Sequence, residues 1–259
     1  MRRCQTVRMI RWDESGSGPP AIFVHGLAED RQAWDALLPL LAGRFRCIRL
    51  DLRGHGESSA ADDYAALAMA QDVATVAAEA ALDQAPLLIG HSLGAIVATA
   101  YATQAPVSGV VNIDQSLRLG DFAVALGPLE PVLRGPDYAD GVAAVFAALG
   151  TGSLSAAQAE ALDRQHRAVQ QQVLLGVWDL VLQTPPEQLT ALAESLLSAV
   201  RVPYLAIHGN DPGPAYPAWL RQSVPDALVE VWDGSGHYPH LCEPQRFADR
   251  VQAFHQTST

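Results

Sequence analysis

At 259 residues, 49% of them hydrophobic and 17% charged, the chain carries enough apolar surface to bury a full core without disulfides or metals. Its length suits one α/β domain rather than several. A formal net charge of −11 disfavours nucleic acid and anionic membrane as partners and points to a neutral small-molecule substrate.

Short apolar runs alternate with helical patterns in the first half of the chain, which predicts βαβ units on a parallel sheet. Strands are expected at 21–25, 46–51, 86–91 and 108–114. The first, Ala21-Ile22-Phe23-Val24, runs into His25-Gly26-Leu27, a turn able to aim a backbone N–H at a developing oxyanion. The second leads into Asp51-Leu52-Arg53-Gly54-His55-Gly56-Glu57, whose charged residues are expected to brace the loop. Met69, Val73, Val76 and Ala80 recur at helical spacing and give one apolar face to cover the sheet.

The third run, Leu87-Leu88-Ile89, enters Gly90-His91-Ser92-Leu93-Gly94 and then a small-residue helix over 93–104. Gly90 and Gly94 lack Cβ atoms, so strand and helix can approach closely around a sharp turn with the Ser92 hydroxyl at its apex. His25 and His91 are expected to be neutral, making structural hydrogen bonds near the oxyanion turn. From Leu117 to about 200 the alternation stops. Ala-, Leu- and Gln-rich stretches broken near 127–136, 150–152 and 184–186 predict three or four helices. Strands resume at 202–208 and 228–232, and a last helix opens at Glu243-Pro244 with Phe247, Val251 and Phe254 on one face.

A serine alcohol is a weak nucleophile until a base takes its proton, and the base needs an orienting carboxylate. Asp211 and His237 follow Ser92 in that order, each in a loop just after a strand-like run. Parallel strands bring such loops to one edge of the sheet. Three widely spaced cysteines, Cys4, Cys47 and Cys242, read as reduced thiols. The eight histidines show no metal-ligand spacing, so neither a metal nor a cofactor is expected. The basic start Met1-Arg2-Arg3 is followed by polar Gln5, Thr6 and Arg8 where a secretory signal needs an apolar run, and no window reaches membrane-spanning length. A cytoplasmic location is the expectation.

With His25-Gly26, the block from Asp51 to Ser58, Gly90 to Gly94 and Gly234-Ser235-Gly236-His237 all in order, the chain closely resembles the α/β-hydrolase superfamily. The resemblance implies an α/β-hydrolase core over 1–117 and 201–259, with a mostly parallel sheet, and an inserted helical cap over 118–200. It also implies Ser92 as nucleophile, His237 as base, Asp211 as acid and the amides of Leu27 and Leu93 as oxyanion donors. Gly209-Asn210-Asp211 places its carboxylate two residues after the glycine, where members usually have three. Asp114, ending the fourth strand, is therefore the alternative acid. Trp34, Trp178 and Tyr238 are pocket candidates. The implied reaction is hydrolysis of a neutral carboxylic ester or lactone. The same triad serves perhydrolases, thioesterases and carbon–carbon bond hydrolases, and some members bind ligands with little or no turnover. A serine at 92 argues against dehalogenases and epoxide hydrolases of this fold, which need an aspartate nucleophile.

Overall fold

The computed structural model describes residues 9–258, so Cys4 and the basic start Met1-Arg2-Arg3 lie outside the described residues. Its strands are β1 (Trp12–Ser15), β2 (Pro20–Val24), β3 (Arg46–Leu50), β4 (Leu87–His91), β5 (Gly109–Ile113), β6 (Tyr204–His208) and β7 (Leu228–Val231). They form one sheet in the order β1-β3-β2-β4-β5-β6-β7. Among the described residues only the β1–β3 pair is antiparallel.

Residues alternate strictly between the two faces of the central strands. Ile22, Val24, Leu88, Val110 and Ala206 enter one apolar layer, whereas Ala21, Phe23, Ile89, Val111 and Leu205 enter the other. Both faces are covered, so these strands are apolar throughout and their sequences read as continuous runs rather than alternating ones. β1 is different. Its sequence Trp-Asp-Glu-Ser is polar and half-exposed, and it is held at the sheet edge partly by ion pairs of Asp13 with Arg49 and of Glu14 with Arg46. Such a strand carries no hydrophobic signature, and the sequence reading does not contain it.

The helices are α1 (Leu38–Leu41), α2 (Ala66–Glu79), α3 (Leu93–Ala102), α4 (Leu119–Leu126), α5 (Glu130–Leu133), α6 (Tyr138–Leu149), α7 (Ala156–Arg167), α8 (Gln171–Gln183), α9 (Pro186–Leu197), α10 (Tyr216–Ser223), α11 (Pro239–Cys242) and α12 (Pro244–Ser258). The expected apolar face of α2 buries Met69, Val73 and Val76 in the first layer, and α12 buries Phe247, Val251 and Phe254 in the second. Between the adjacent strands β5 and β6 the chain makes six α-helices, α4 to α9, where three or four were expected. The two additional helices come from the short α5, which forms inside the break read at 127–136, and from an unread turn at 168–170 between α7 and α8, which contains neither Gly nor Pro. Among the described residues no helix is long and apolar enough to cross a membrane.

Candidate active site

β4 ends at His91 and α3 begins at Leu93, so Ser92 alone makes the turn, with φ of 50° and ψ of −121°. A non-glycine residue in that conformation is strained and persists only where its surroundings enforce it. Here the surroundings are backbone. A Cβ on Gly90 would lie 2.3 Å from the Gly94 carbonyl oxygen, and one on Gly94 would lie 2.0 Å from that of Val24. The Ser92 N–H donates to the Ile113 carbonyl at 3.0 Å, which ties the turn to the end of β5.

One strand over, Asp114 has φ of 47°, and its N–H donates to the Ile207 carbonyl of β6 at 2.8 Å. His237 Nδ1 lies 2.6 Å from Asp114 Oδ2. Asp114 Oδ1 accepts the backbone N–H groups of Gly209 at 2.8 Å and Asn210 at 3.3 Å. Burial works to raise the Asp114 carboxyl, but the hydrogen bonds from His237 and Gly209 outweigh it and hold the group below the usual carboxylate range. With its proton on Nδ1 facing a carboxylate, the imidazole presents Nε2 as an acceptor. That atom is buried without a hydrogen-bond partner.

This corrects the expectation for Asp211. Its side chain is exposed and accepts the Gly213 N–H at 2.8 Å in a local turn. The loop after β6 thus gives its backbone amides to Asp114 instead of giving a carboxylate to His237. The shortened spacing after Gly209 fits that arrangement. His240, the other histidine of the loop, is buried against the Trp34 and His91 rings.

Ser92 and His237 open onto one cavity of about 510 Å³, walled by Leu27, Leu93, Ile96, Leu119, Phe122, Val145, Phe146, Leu149, Val177, Trp178 and Val181. Leu93 opens α3, so its N–H is among the amides a helix leaves without an internal acceptor. Leu27 lies in the turn after β2. His25 braces this turn: Nε2 accepts the Leu52 N–H at 2.9 Å, and Nδ1 donates to the Gly26 carbonyl at 2.7 Å. Asp51 likewise braces its loop, accepting Arg31 N–H at 2.7 Å and Glu57 N–H at 2.9 Å.

Of the three pocket candidates only Trp178 lines the cavity. Trp34 is fully buried in the layer on the other face of the sheet, its ring against Phe23. Tyr238 is buried beside His237 and its hydroxyl meets His166 Nε2 of α7 at 3.0 Å. Adjacency in sequence to a site residue does not place a side chain on the cavity: His237 lines it, whereas the Tyr238 ring beside it carries its hydroxyl to His166. Phe122 and Phe146, from α4 and α6, were not among the candidates. Nothing in their local sequence separates a cavity-facing residue on an insertion helix from a core one.

The Alpha/beta hydrolase family profile matches residues 21–250. The chain belongs to that family. It is 31% identical to the 2-(acetamidomethylene)succinate hydrolase of Mesorhizobium japonicum, covering 90% of this chain and 86% of that one. It is 29% identical to the pimeloyl-[acyl-carrier protein] methyl ester esterase of Nitrosomonas europaea, over 94% and 98% of the two chains. Among solved structures, a thermophilic esterase from Thermogutta terrifontis superposes with a TM-score of 0.76 at 22% identity, covering 97% of this chain and 94% of the other. The α/β-hydrolase fold with a helical insertion is thereby established, and relatives within it include esterases.

Proposed function

We propose that this α/β hydrolase cleaves a neutral carboxylic ester or lactone through an acyl-enzyme on Ser92. The observation that carries the reading is the unpartnered Nε2 of an Asp114-oriented His237, opening on the same apolar cavity as a serine held in a strained turn. His237 takes the Ser92 proton as Oγ attacks the acyl carbonyl, and Asp114 stabilises the imidazolium that forms. The tetrahedral oxyanion rests on the amides of Leu27 and Leu93, a type of contact worth roughly 10²- to 10³-fold per donor in kcat. His237 returns the proton to the leaving oxygen. Water then repeats the sequence on the acyl-enzyme.

The cavity supports a neutral substrate. Among the described residues no lysine or arginine lines it, and its charged lining residues are all carboxylates, with Asp62, Asp63 and Asp211 exposed. The Mesorhizobium relative is named for a succinate. A dicarboxylate would find no cation in this lining and would meet like charge.

A fluorophosphonate should label the wild-type protein and not Ser92→Ala. A panel of acyl esters and lactones should show turnover of neutral members above that of a matched succinyl ester, with Ser92→Ala reduced to background. Retention of more than a small fraction of turnover by Ser92→Ala removes the acyl-enzyme reading. Preference for the succinyl ester removes the neutral-substrate reading.

A further inference from the structure

Glu29 and His91 are buried beside the reaction centre and take no part in the chemistry above. Glu29 lies on the turn after β2. Its Oε2 accepts the Gly26 N–H at 2.8 Å and also faces His91 Nδ1 at 3.1 Å. The other ring nitrogen, His91 Nε2, lies 2.9 Å from the backbone carbonyl oxygen of His237. A carbonyl only accepts, and an ionised carboxylate only accepts. Neutral imidazole has a single N–H and would set a lone pair against one of these oxygens, whereas imidazolium donates to both.

We propose that Glu29 and His91 form a buried carboxylate–imidazolium bridge that positions the general base, joining the oxyanion turn at Gly26 and the end of the serine strand to the loop that carries His237. The expectation of a neutral His91 is replaced by a charged one. Burial disfavours both charges, but their mutual attraction and hydrogen bonds outweigh it, so that His91 is held above the ordinary histidine value and Glu29 well below the ordinary carboxylate value. The groups facing His91 come from the turn after β2, the loop after β5 and the base loop, with His166 of α7 also within electrostatic reach. The turn after β2 supplies Glu29, and the loop after β5 supplies Asp114. The base loop with α11 supplies the rings of His237 at 4.6 Å, His240 at 4.7 Å and Tyr238 at 5.2 Å. The one carboxylate in direct contact is Glu29, which makes it the group that keeps the second proton on the ring.

The bridge contributes geometry. Leu27 and His237 both line the cavity, and the chain of bonds from Gly26 N–H through Glu29 and His91 to the His237 carbonyl links the turn that carries Leu27 to the loop that carries His237. Proton transfer between Ser92 and His237 depends steeply on their relative placement. Glu29 and His91 are thus positioning residues, and their kinetic role rests on the serine-hydrolase reading.

In wild-type protein labelled with 15N-histidine, both His91 nitrogens should carry protons at pH values just above the ordinary histidine value of about 6.5, where an ordinary histidine has lost one. A singly protonated His91 in that window overturns the bridge, including the alternative in which the proton sits on Glu29. Glu29→Gln should return His91 to one proton and lower kcat by about tenfold to a hundredfold with KM within about threefold. His91→Gln, which keeps an N–H for the His237 carbonyl, should retain more kcat than His91→Leu. A folded Glu29→Gln with wild-type kcat overturns the positioning role even if it melts earlier. Failure of the wild type to react with a fluorophosphonate overturns the hydrolase reading and the positioning role together, and the spectra alone then decide the charge state.

Discussion

At the scale of single residues, the carboxylate on His237 Nδ1 sets both the tautomer and the orientation of the imidazole. Asp114 makes that bond at 2.6 Å and is itself held by two amides of the loop after β6. Asp114→Asn should therefore lower kcat by roughly 10³- to 10⁴-fold through a wrong tautomer. Asp211→Asn loses only a solvent-exposed turn contact to the Gly213 N–H, and its kcat should stay within about threefold of wild type. Steady-state kinetics on the two purified variants checks this, and a larger loss from Asp211→Asn than from Asp114→Asn would reverse the assignment. Both aspartates follow strand-like runs, and the family resemblance favours Asp211 in the sequence, with its short spacing after Gly209 keeping Asp114 as the alternative. What separates them is a backbone φ of 47° at Asp114 and the path of a loop some 95 residues away, neither of which is a local property.

At the scale of elements, the helical insertion grips the base loop as well as roofing the cavity. The His237 N–H donates to the Gly150 carbonyl at 2.9 Å, and the Tyr238 hydroxyl meets His166 of α7. Between α6 and α7, Gly152 has φ of 57°, and a Cβ there would lie 2.3 Å from the Ser235 carbonyl carbon. Backbone cannot yield as a flexible side chain does. Gly152→Ala should destabilise the fold by about 1–3 kcal/mol through overpacking and strain and lower kcat by displacing the loop before His237. Thermal melts and kcat on the variant test this, and wild-type values for both would show that the contact is slack. The sequence shows the break at 150–152 plainly, because Gly-Thr-Gly punctuates a helical pattern. It does not show what the break touches.

At the scale of the whole molecule, both sheet faces are covered, and several histidines are caught in the interior as neutral rings. Burial lowers His25, His55, His166, His208 and His240, with His55 reaching about 3 and His166 about 4. The unfolded chain takes up these protons near the ordinary value of 6.5 while the native state refuses them, so stability rises with pH across this window and falls on acidification. Asp114 and Glu29, held low, add stability that is also lost as pH falls. His91 acts in the opposite sense, its contribution being full at low pH and lost as pH rises through its raised value. His166 alone should cost about 2 kcal/mol between about pH 7 and pH 5, equivalent to a Tm drop of about 5 °C. Melts of the wild type should show at least that drop. His166→Phe, which keeps the stack on Phe146, should show a smaller one. An acid-insensitive Tm would contradict the neutral burial of these rings.

The sequence by itself determined the parallel sheet, the serine turn and the histidine loop. Each is written within a few neighbouring residues: a continuous apolar run for a doubly covered strand, Gly90 and Gly94 for the close approach at Ser92, and Phe247, Val251 and Phe254 for the face of the last helix. Tertiary structure decided what depends on distant segments meeting. It put Asp114 rather than Asp211 on His237, because the amides of Gly209 and Asn210 fold over the Asp114 carboxylate. It turned Trp34 beneath the sheet and Tyr238 toward α7, leaving only Trp178 of the three aromatics on the cavity. It also brought Glu29 and the His237 carbonyl to opposite edges of His91, and the charge on that ring follows from the meeting of three segments that no local spacing connects.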